Sequence, residues 1–303
     1  MTLRLRLLTC CLIVCSVTFS LIISAHAEET KALSKELTNE QKQKLRLIAL
    51  APHIVESLYE IGAGEQIIGT SEHADFPAAA KDILRVGNYA SLQIEKILQL
   101  KPDIILAWQT GNPMSDIARL EKYNFKVIYS KPVRLEDVAT ELTMLGELTG
   151  RQLQAKKAGD KYLSRLNNLR DQYAGQSSIS LFYELWSRPL RTVAGQAWPQ
   201  QQIELCGAEN PFKNAQDDYP SIGLEQVVAN MPQAIIQPSQ HGSENPDSIN
   251  WRQWQSIPAA KHDFIFSLNA DKVHRMTSRM LDEVQVMCEQ IDKARQFYIK
   301  VKN

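Results

Sequence analysis

The chain has 303 residues, 44% hydrophobic and 22% charged, and its 34 basic and 34 acidic side chains cancel to a net charge of zero. Balanced charge argues against nucleic acid or an anionic lipid surface as the main partner, since both recruit strongly basic surfaces. The length suffices for two lobes with cores of their own.

Arg4 and Arg6 precede an apolar run from Leu7 to Ile23, and Ala25-His26-Ala27 closes it. A basic start, an apolar middle and a small-x-small end predict a secretory signal peptide over 1–27. The run is a little long for one, which leaves a retained anchor as the alternative. Cys10, Cys11 and Cys15 lie inside the run and not at its end, which argues against a lipoprotein. No later stretch is apolar enough to span a bilayer, so the expectation is a soluble periplasmic protein without direct membrane insertion. Removing Arg4 and Arg6 from the 34 basic residues leaves 32 against 34 acidic ones. Of the five cysteines, Cys206 and Cys288 remain. Two cysteines in an oxidising compartment favour one disulfide, with two buried thiols as the alternative. A bridge would close a loop of about 80 residues, worth at most roughly 4 to 5 kcal/mol in the chain-entropy account.

Residues 28–44 are polar and read as a mobile leader outside any core. A first lobe, 45–150, opens on a strand at 45–50; Pro52 follows, and 53–61 reads as a helix stopped by Gly62 and Gly64. A strand at 67–70 runs into the loop 71–77, and a short helix at 94–100 is broken by Lys101-Pro102. Residues 103–108 then form a buried strand of the kind parallel sheets use. The lobe ends on a helix at 115–123, a strand at 126–130 and a helix at 135–148. Next, Ala155, Ala158, Tyr162, Leu166, Leu169 and Tyr173 recur at steps of three and four. They predict one amphipathic helix of roughly 34 Å, assigned to 151–175 as a linker. The second lobe, 176–303, repeats the alternation with strands at 179–185, 234–236 and 264–266, helices at 200–206 and 224–231, and a closing helix at 277–301. The fold class that follows is α/β: two Rossmann-like lobes with mainly parallel sheets, joined by one long helix and leaving a cleft between them.

The lobes echo one another. IEKILQLKPDIILAW (94–108) and LEQVVANMPQAIIQP (224–238) align without a gap as apolar helix, proline break and apolar strand. Each places a glutamate, Glu95 or Glu225, in the first helical turn. There a carboxylate simply suits the positive helix end, or a symmetric pair serves a two-fold partner.

Leu50-Ala51-Pro52, the loop SEHADFP (71–77), IEKILQLKPDIILAWQTGN (94–112), ELCGAENPFKNAQDDYPSIGLEQV (204–227) and the Arg279 to Cys288 spacing carry a resemblance. On these residues the stretch 45–291 resembles the single-helix-linked, class III periplasmic substrate-binding proteins of ABC importers for corrinoids, haem and iron siderophores, and among them the cobalamin binders most. The resemblance implies a non-enzymatic receptor, monomeric when free, that has no cofactor, carries cobalamin as cargo and serves permease and ATPase subunits. It implies that Glu95 and Glu225 dock on permease arginines and that Cys206 bonds Cys288. It places His73 where the cobalamin binder has tyrosine, Tyr89 where it has tryptophan, and Gln109 where it has arginine, with Trp108 kept. The late ligand loop falls on Asp271, Lys272, Val273, His274 and Arg275, where the family's aromatic pair is lost.

A corrin has broad apolar faces and an amide rim, so its cleft wants aromatic planes and oriented donors. Trp108, Tyr89, Trp186 and Trp198 are candidate planes; Arg188, Arg275, Lys272 and Gln109 are candidate donors. Trp108, at a strand end, suits a core equally, and Trp251 and Trp254 read as packing. His73 could coordinate the metal of a corrinoid or haem, or hydrogen-bond as a loop residue. Haem and ferric-siderophore binders are the alternative, but the arginine pair or basic cluster their carboxylates or catecholates want does not stand out. The remaining histidines are scattered without paired spacing, so no metal site is expected. An enzyme is disfavoured, for there is no P-loop, dinucleotide fingerprint or nucleophile elbow.

Overall fold

A computed structural model describes residues 37–240 and 247–302, so the signal peptide assigned to 1–27 and the leader up to 36 lie outside the described residues. The rest of the leader does not stay clear of the core as its polarity suggests. Thr38 caps a short helix, Asn39–Lys42 (α1), in a capping box: Gln41 N donates to Thr38 Oγ1 and Thr38 N to Gln41 Oε1. Lys42 is buried and its carbonyl accepts from Gln66 Nε2, while Gln43 Nε2 reaches the Gly150 carbonyl. Backbone hydrogen bonding therefore docks a segment whose side chains read as solvent-loving.

In the first lobe the apolar runs Leu47–Ala49 (β1), Ile67–Thr70 (β2), Ile104–Trp108 (β3) and Val127–Ser130 (β4) form a parallel sheet ordered β2-β1-β3-β4. Register pairs Ile48 with Ile105 and Leu106 with Ile128. All of β1 is buried, as a sheet covered on both faces requires. The covering helices are Pro52–Glu60 (α2), Ile94–Leu100 (α3), Met114–Lys122 (α4) and Asp137–Thr149 (α5).

The linker is the helix Gln152–Tyr173 (α6), which buries Ala155, Gly159, Tyr162, Leu166, Leu169 and Tyr173. Gly159 replaces Ala158 in the expected stripe because α6 lies very close to α5. A methyl on Gly146 of α5 would collide with the Ala155 methyl, so the crossing depends on glycine there.

In the second lobe Leu181–Tyr183 (β5) leads into a small antiparallel hairpin, Trp186–Ser187 (β6) with Leu190–Arg191 (β7). The helices Trp198–Leu205 (α7) and Leu224–Asn230 (α8), the strand Ala234–Ser239 (β8), the short helix Pro258–Lys261 (α9), the strand Ile265–Asn269 (β9) and the turn of helix Ala270–Val273 (α10) follow. Met280–Lys302 (α11) closes the chain's described part. The second sheet, β5-β8-β9, is parallel and separate from the first. Cys206 and Cys288 form a disulfide with Cα atoms 4.8 Å apart, tying the end of α7 to α11. Arg295 of α11, fully buried, donates to the carbonyls of Cys206 and Gly207 where α7 leaves its last backbone acceptors.

The echo in sequence is an echo in backbone. Helix α3 ends on Lys101 at φ 46°, ψ 60°, and α8 on Met231 at φ 46°, ψ 53°, each a left-handed non-glycine residue before a proline. After each proline the chain bonds back to the neighbouring strand's entrance in the same way: Asp103 N to Arg46 O at 2.9 Å, and Gln233 N to Ser180 O at 2.8 Å.

Candidate functional site

Loops at the carboxyl ends of parallel strands are where α/β folds bind, and here the two sets of loops meet. The loop after β2 carries His73, Ala74, Asp75 and Phe76, and Arg85 anchors it by donating to the carbonyls of Ala74, Ala80 and Ile83 at 2.9, 3.0 and 2.8 Å. His73 takes a left-handed φ of 66°, which leaves its side chain exposed while its carbonyl accepts from Arg275 Nη2 at 3.1 Å. Across the gap, Asn269 caps α10 by accepting from Asp271 N, and the chain then turns into Arg275.

Arg275 is the centre of the contact. Its Nη1 donates to Glu56 Oε1 and Asp75 Oδ1, both at 2.8 Å, and its Nη2 to His73 O and Asp271 Oδ1, both at 3.1 Å. Glu56 also accepts a side-on pair from Arg279, Nε at 3.1 Å and Nη2 at 2.7 Å, and a bond from Thr277 Oγ1 at 3.2 Å. The Arg279 guanidinium lies 3.8 Å over the Phe76 ring. Two guanidinium groups thus sit among three carboxylates, and all but Asp271 of those carboxylates come from the first lobe. Partial burial pushes Asp75 up, but Arg275's hydrogen bond and charge outweigh it and hold the group below the usual carboxylate range.

The sequence reading makes Arg275 a ligand donor, whereas in the fold its terminal N–H groups are engaged by protein oxygens. Glu56, Asp75 and Arg279 were not legible as partners. The available signals were a glutamate inside the apolar helix start HIVESLYE and two arginines four residues apart.

The other expected site residues divide by exposure. Tyr89 is 77% and Trp186 62% exposed, and Trp186 Nε1 donates to the Arg188 carbonyl at 3.0 Å. Gln109 and Arg188 are also exposed, and Trp108 is half-buried at the end of β3. Asp271 is half-exposed and held by Arg275, and Lys272 lies 3.4 Å from Glu283. His274 pairs with the Tyr183 hydroxyl at 2.9 Å; burial pushes it down to about 4, against a smaller upward pull from Asp271, so it is neutral. Val273 and Trp198, expected at the ligand, are buried. Both side chains are in the core, because α10 and α7 turn their apolar faces inward, and Val273 meets its neighbours through a carbonyl that accepts from Gln202. Trp251 is core as expected, its indole donating to buried Glu184. Glu184 also accepts from Ser187 Oγ and Gln237 Nε2, which fixes the hairpin that carries Trp186.

Two hollows adjoin these residues. One of about 280 Å³ lies beside Trp186, walled by Glu184, Arg188, Pro238 and Ser248. The other, about 410 Å³, lies on the linker side of the arginine network between Tyr59, Phe76, Lys161 and Arg279. Neither Glu95 nor Glu225, both exposed, has an ion pair among the described residues.

Residues 47–272 match the model of the periplasmic binding protein family. The chain belongs to the periplasmic binding protein family. Among its relatives, a vitamin B12-binding protein of Vibrio campbellii is 35% identical over 252 residues, 83% of this chain and 90% of the relative. Among solved structures, the periplasmic vitamin B12 binding protein BtuF of Vibrio cholerae superposes with a TM-score of 0.77 at 36% identity, covering 84% of this chain and 98% of that one. The periplasmic heme-binding protein RhuT of Roseiflexus sp. RS-1 superposes with a TM-score of 0.73 at 15% identity, covering 83% of this chain and 99% of that one, which speaks to the fold alone. This family member therefore shares its two-lobed, helix-linked architecture with binders of different cargo.

Proposed function

We propose that the chain is a periplasmic receptor that captures a corrinoid, cobalamin foremost, between its lobes and hands it to an ABC permease without making or breaking a bond. The observation that carries this reading is 36% identity to a vitamin B12 binding protein over nearly the whole of its structure, against 15% to a haem binder of the same fold. The chemistry of the site supports it. Tyr89 and Trp186 offer large exposed aromatic faces for a flat, apolar guest. Arg275 and Arg279 are engaged by carboxylates of the chain itself, so they are not a free pair for haem propionates.

In this reading 45–150 and 176–303 are the two lobes around a linker at 151–175, working as one binding unit over 45–291, and 1–27 routes the chain to the periplasm. Ligand contacts come from His73, Tyr89, Trp108 and Trp186, with Asp271, Lys272, His274 and Arg275 shaping the floor. Glu95 and Glu225, at matching places on α3 and α8, dock on the permease, whose ATPase subunits drive transfer, and the free receptor is a monomer. The arginine network holds the lobes in register, so the cleft is largely preformed and binding carries a small ordering cost.

Calorimetric titration with cyanocobalamin, haemin and a ferric siderophore tests the reading. Saturable one-to-one binding of cyanocobalamin is expected. Binding of haemin or the siderophore in its place would transfer the assignment to the alternative cargo.

A further inference from the structure

His53 stands at the second position of α2, 3% exposed amid an apolar cluster, and the capture chemistry above makes no use of it. Its Nε2 lies 2.8 Å from the Oγ of Ser130, the last residue of β4, and that hydroxyl donates to Glu141 Oε2 on α5 at 2.5 Å. Ser130 is 2% and Glu141 9% exposed. On its other side the imidazole meets the indole of Trp108 edge to face, with centroids 5.3 Å apart and planes at 81°. Asn112 holds the backbone beneath that indole, accepting from Trp108 N at 2.6 Å and donating to Leu50 O at 2.8 Å. Three apolar side chains could fill the positions of His53, Ser130 and Glu141 without the desolvation cost of a buried polar chain.

We propose that His53 is a positioning residue for ligand capture: the chain Glu141–Ser130–His53 fixes the imidazole, and the imidazole fixes the plane that Trp108 presents to the cleft. This rests on the reading of Trp108 as a cleft wall.

Proton counting gives the chain two states. A serine hydroxyl has one proton to donate. With Glu141 ionised that proton goes to Glu141, so Ser130 Oγ accepts from His53 and the imidazole carries its hydrogen on Nε2. A proton taken from solvent by Glu141 makes the carboxyl a donor to Ser130 Oγ. The hydroxyl then turns its own proton towards Nε2, and the imidazole hydrogen passes to Nδ1 by exchange with water. The imidazole is neutral in both states, because burial pushes His53 down to about 3.

Burial lifts Glu141 to about 7, so the chain changes state close to neutrality. The groups around it are few. On α5 the charge of Asp137 raises Glu141 further, and on β4 and beyond it the Ser130 hydroxyl and the Lys131 backbone N–H lower it. On α2 Glu56 is held by Arg275 and Arg279, and on α6 Tyr162 donates to the Leu135 carbonyl.

Glu141→Gln, Ser130→Ala and His53→Phe, the last keeping a ring edge against Trp108 without the hydrogen bond, are compared with the wild-type chain from about pH 5.5 to 8.5, around the range where a histidine-linked group titrates. Three signals are read: Trp108 emission, taken as the difference from Trp108→Phe in the same background; the ¹⁵N shifts of the His53 imidazole; and cyanocobalamin affinity by calorimetry. The wild type is expected to show a step in emission and a move from Nε2–H to Nδ1–H centred near pH 7, absent from all three variants. Affinity is expected to fall about tenfold in Ser130→Ala and His53→Phe, the lower end of what supporting-shell changes cost. No step in the wild type, or a step that survives Glu141→Gln, overturns the chain; the wild-type imidazole shifts decide this even if a variant fails to fold. If the variants leave affinity unmoved while Trp108→Ala weakens it, the positioning role falls and the functional reading stands. If Trp108→Ala also leaves affinity unmoved, or wild type binds no cyanocobalamin, the functional reading of Trp108 has failed and the proposal falls with it.

Discussion

Arg275 Nη1 donates to Glu56 Oε1 at 2.8 Å across a sequence separation of 219 residues, with side chains 10% and 4% exposed. This buried bond joins the two lobes, beside a hollow that Glu56 shares with Lys161 and Tyr162 of the linker helix. Arg275→Ala would take from Glu56, Asp75 and Asp271 the cation they share, a change expected to cost about 3 kcal/mol. Urea unfolding at constant pH measures it. A double-mutant cycle with Glu56→Ala should return a coupling of about 1.5 kcal/mol or more, since the two residues are in direct contact.

Glu141 and His53 give stability opposite dependences on pH. The folded value for Glu141, about 7, lies above its ordinary 4.5, so between the two the folded state holds a proton the unfolded state lacks. Stability contributed by this group is full below about 4.5 and falls as pH rises through 7, by roughly 3 kcal/mol at most. His53, at about 3 against an ordinary 6.5, contributes stability above 6.5 that is lost as pH falls towards 3. Denaturant titrations across pH should show Glu141→Gln with a flatter neutral limb and His53→Phe with a flatter acid limb. Unchanged slopes would mean that neither group is shifted.

The Cys206–Cys288 bridge closes a separation of 82 residues, which in the chain-entropy account is worth about 4 kcal/mol. Reduction should lower the urea midpoint without changing cyanocobalamin affinity at room temperature, because the bridge ties α7 to α11 and neither cysteine lines the hollow beside Trp186.

Exposed aromatics should matter to binding and not to folding. Tyr89→Ala and Trp186→Ala are each expected to weaken cyanocobalamin about tenfold, or roughly 1.4 kcal/mol, while moving the unfolding midpoint little. Calorimetry paired with thermal unfolding separates the two effects.

Delivery should separate from capture in the same manner. Glu95→Ala combined with Glu225→Ala is expected to abolish uptake through the permease in reconstituted vesicles and to leave calorimetric affinity unchanged. Normal uptake by that variant would refute the docking role.

Much of this architecture was readable in the residues. The helix at 94–100 and the strand at 67–70 have the bounds expected of them, and the linker begins one residue later than expected. Lys101-Pro102 and its echo Met231-Pro232 end their helices in the same backbone conformation. The β6–β7 hairpin and the docked α1 were not anticipated, one being two pairs of residues and the other a polar turn held by hydrogen bonds to the distant Gln66 and Gly150. Val273, placed in the ligand loop by resemblance, and Trp198, a candidate aromatic plane, have their side chains in the core.

Local chemistry, the steps of three and four, the proline breaks and the repeated unit, is enough by itself to determine two α/β lobes and the helix between them, because each element's apolar face is written in consecutive residues. Which polar groups face one another is decided only in three dimensions. The partners of Arg275 come from one loop and two helices, and those of His53 from two strand ends, backed by a glutamate on a helix. Burial, which turns such meetings into strong bonds and shifted protons, has no counterpart in sequence spacing.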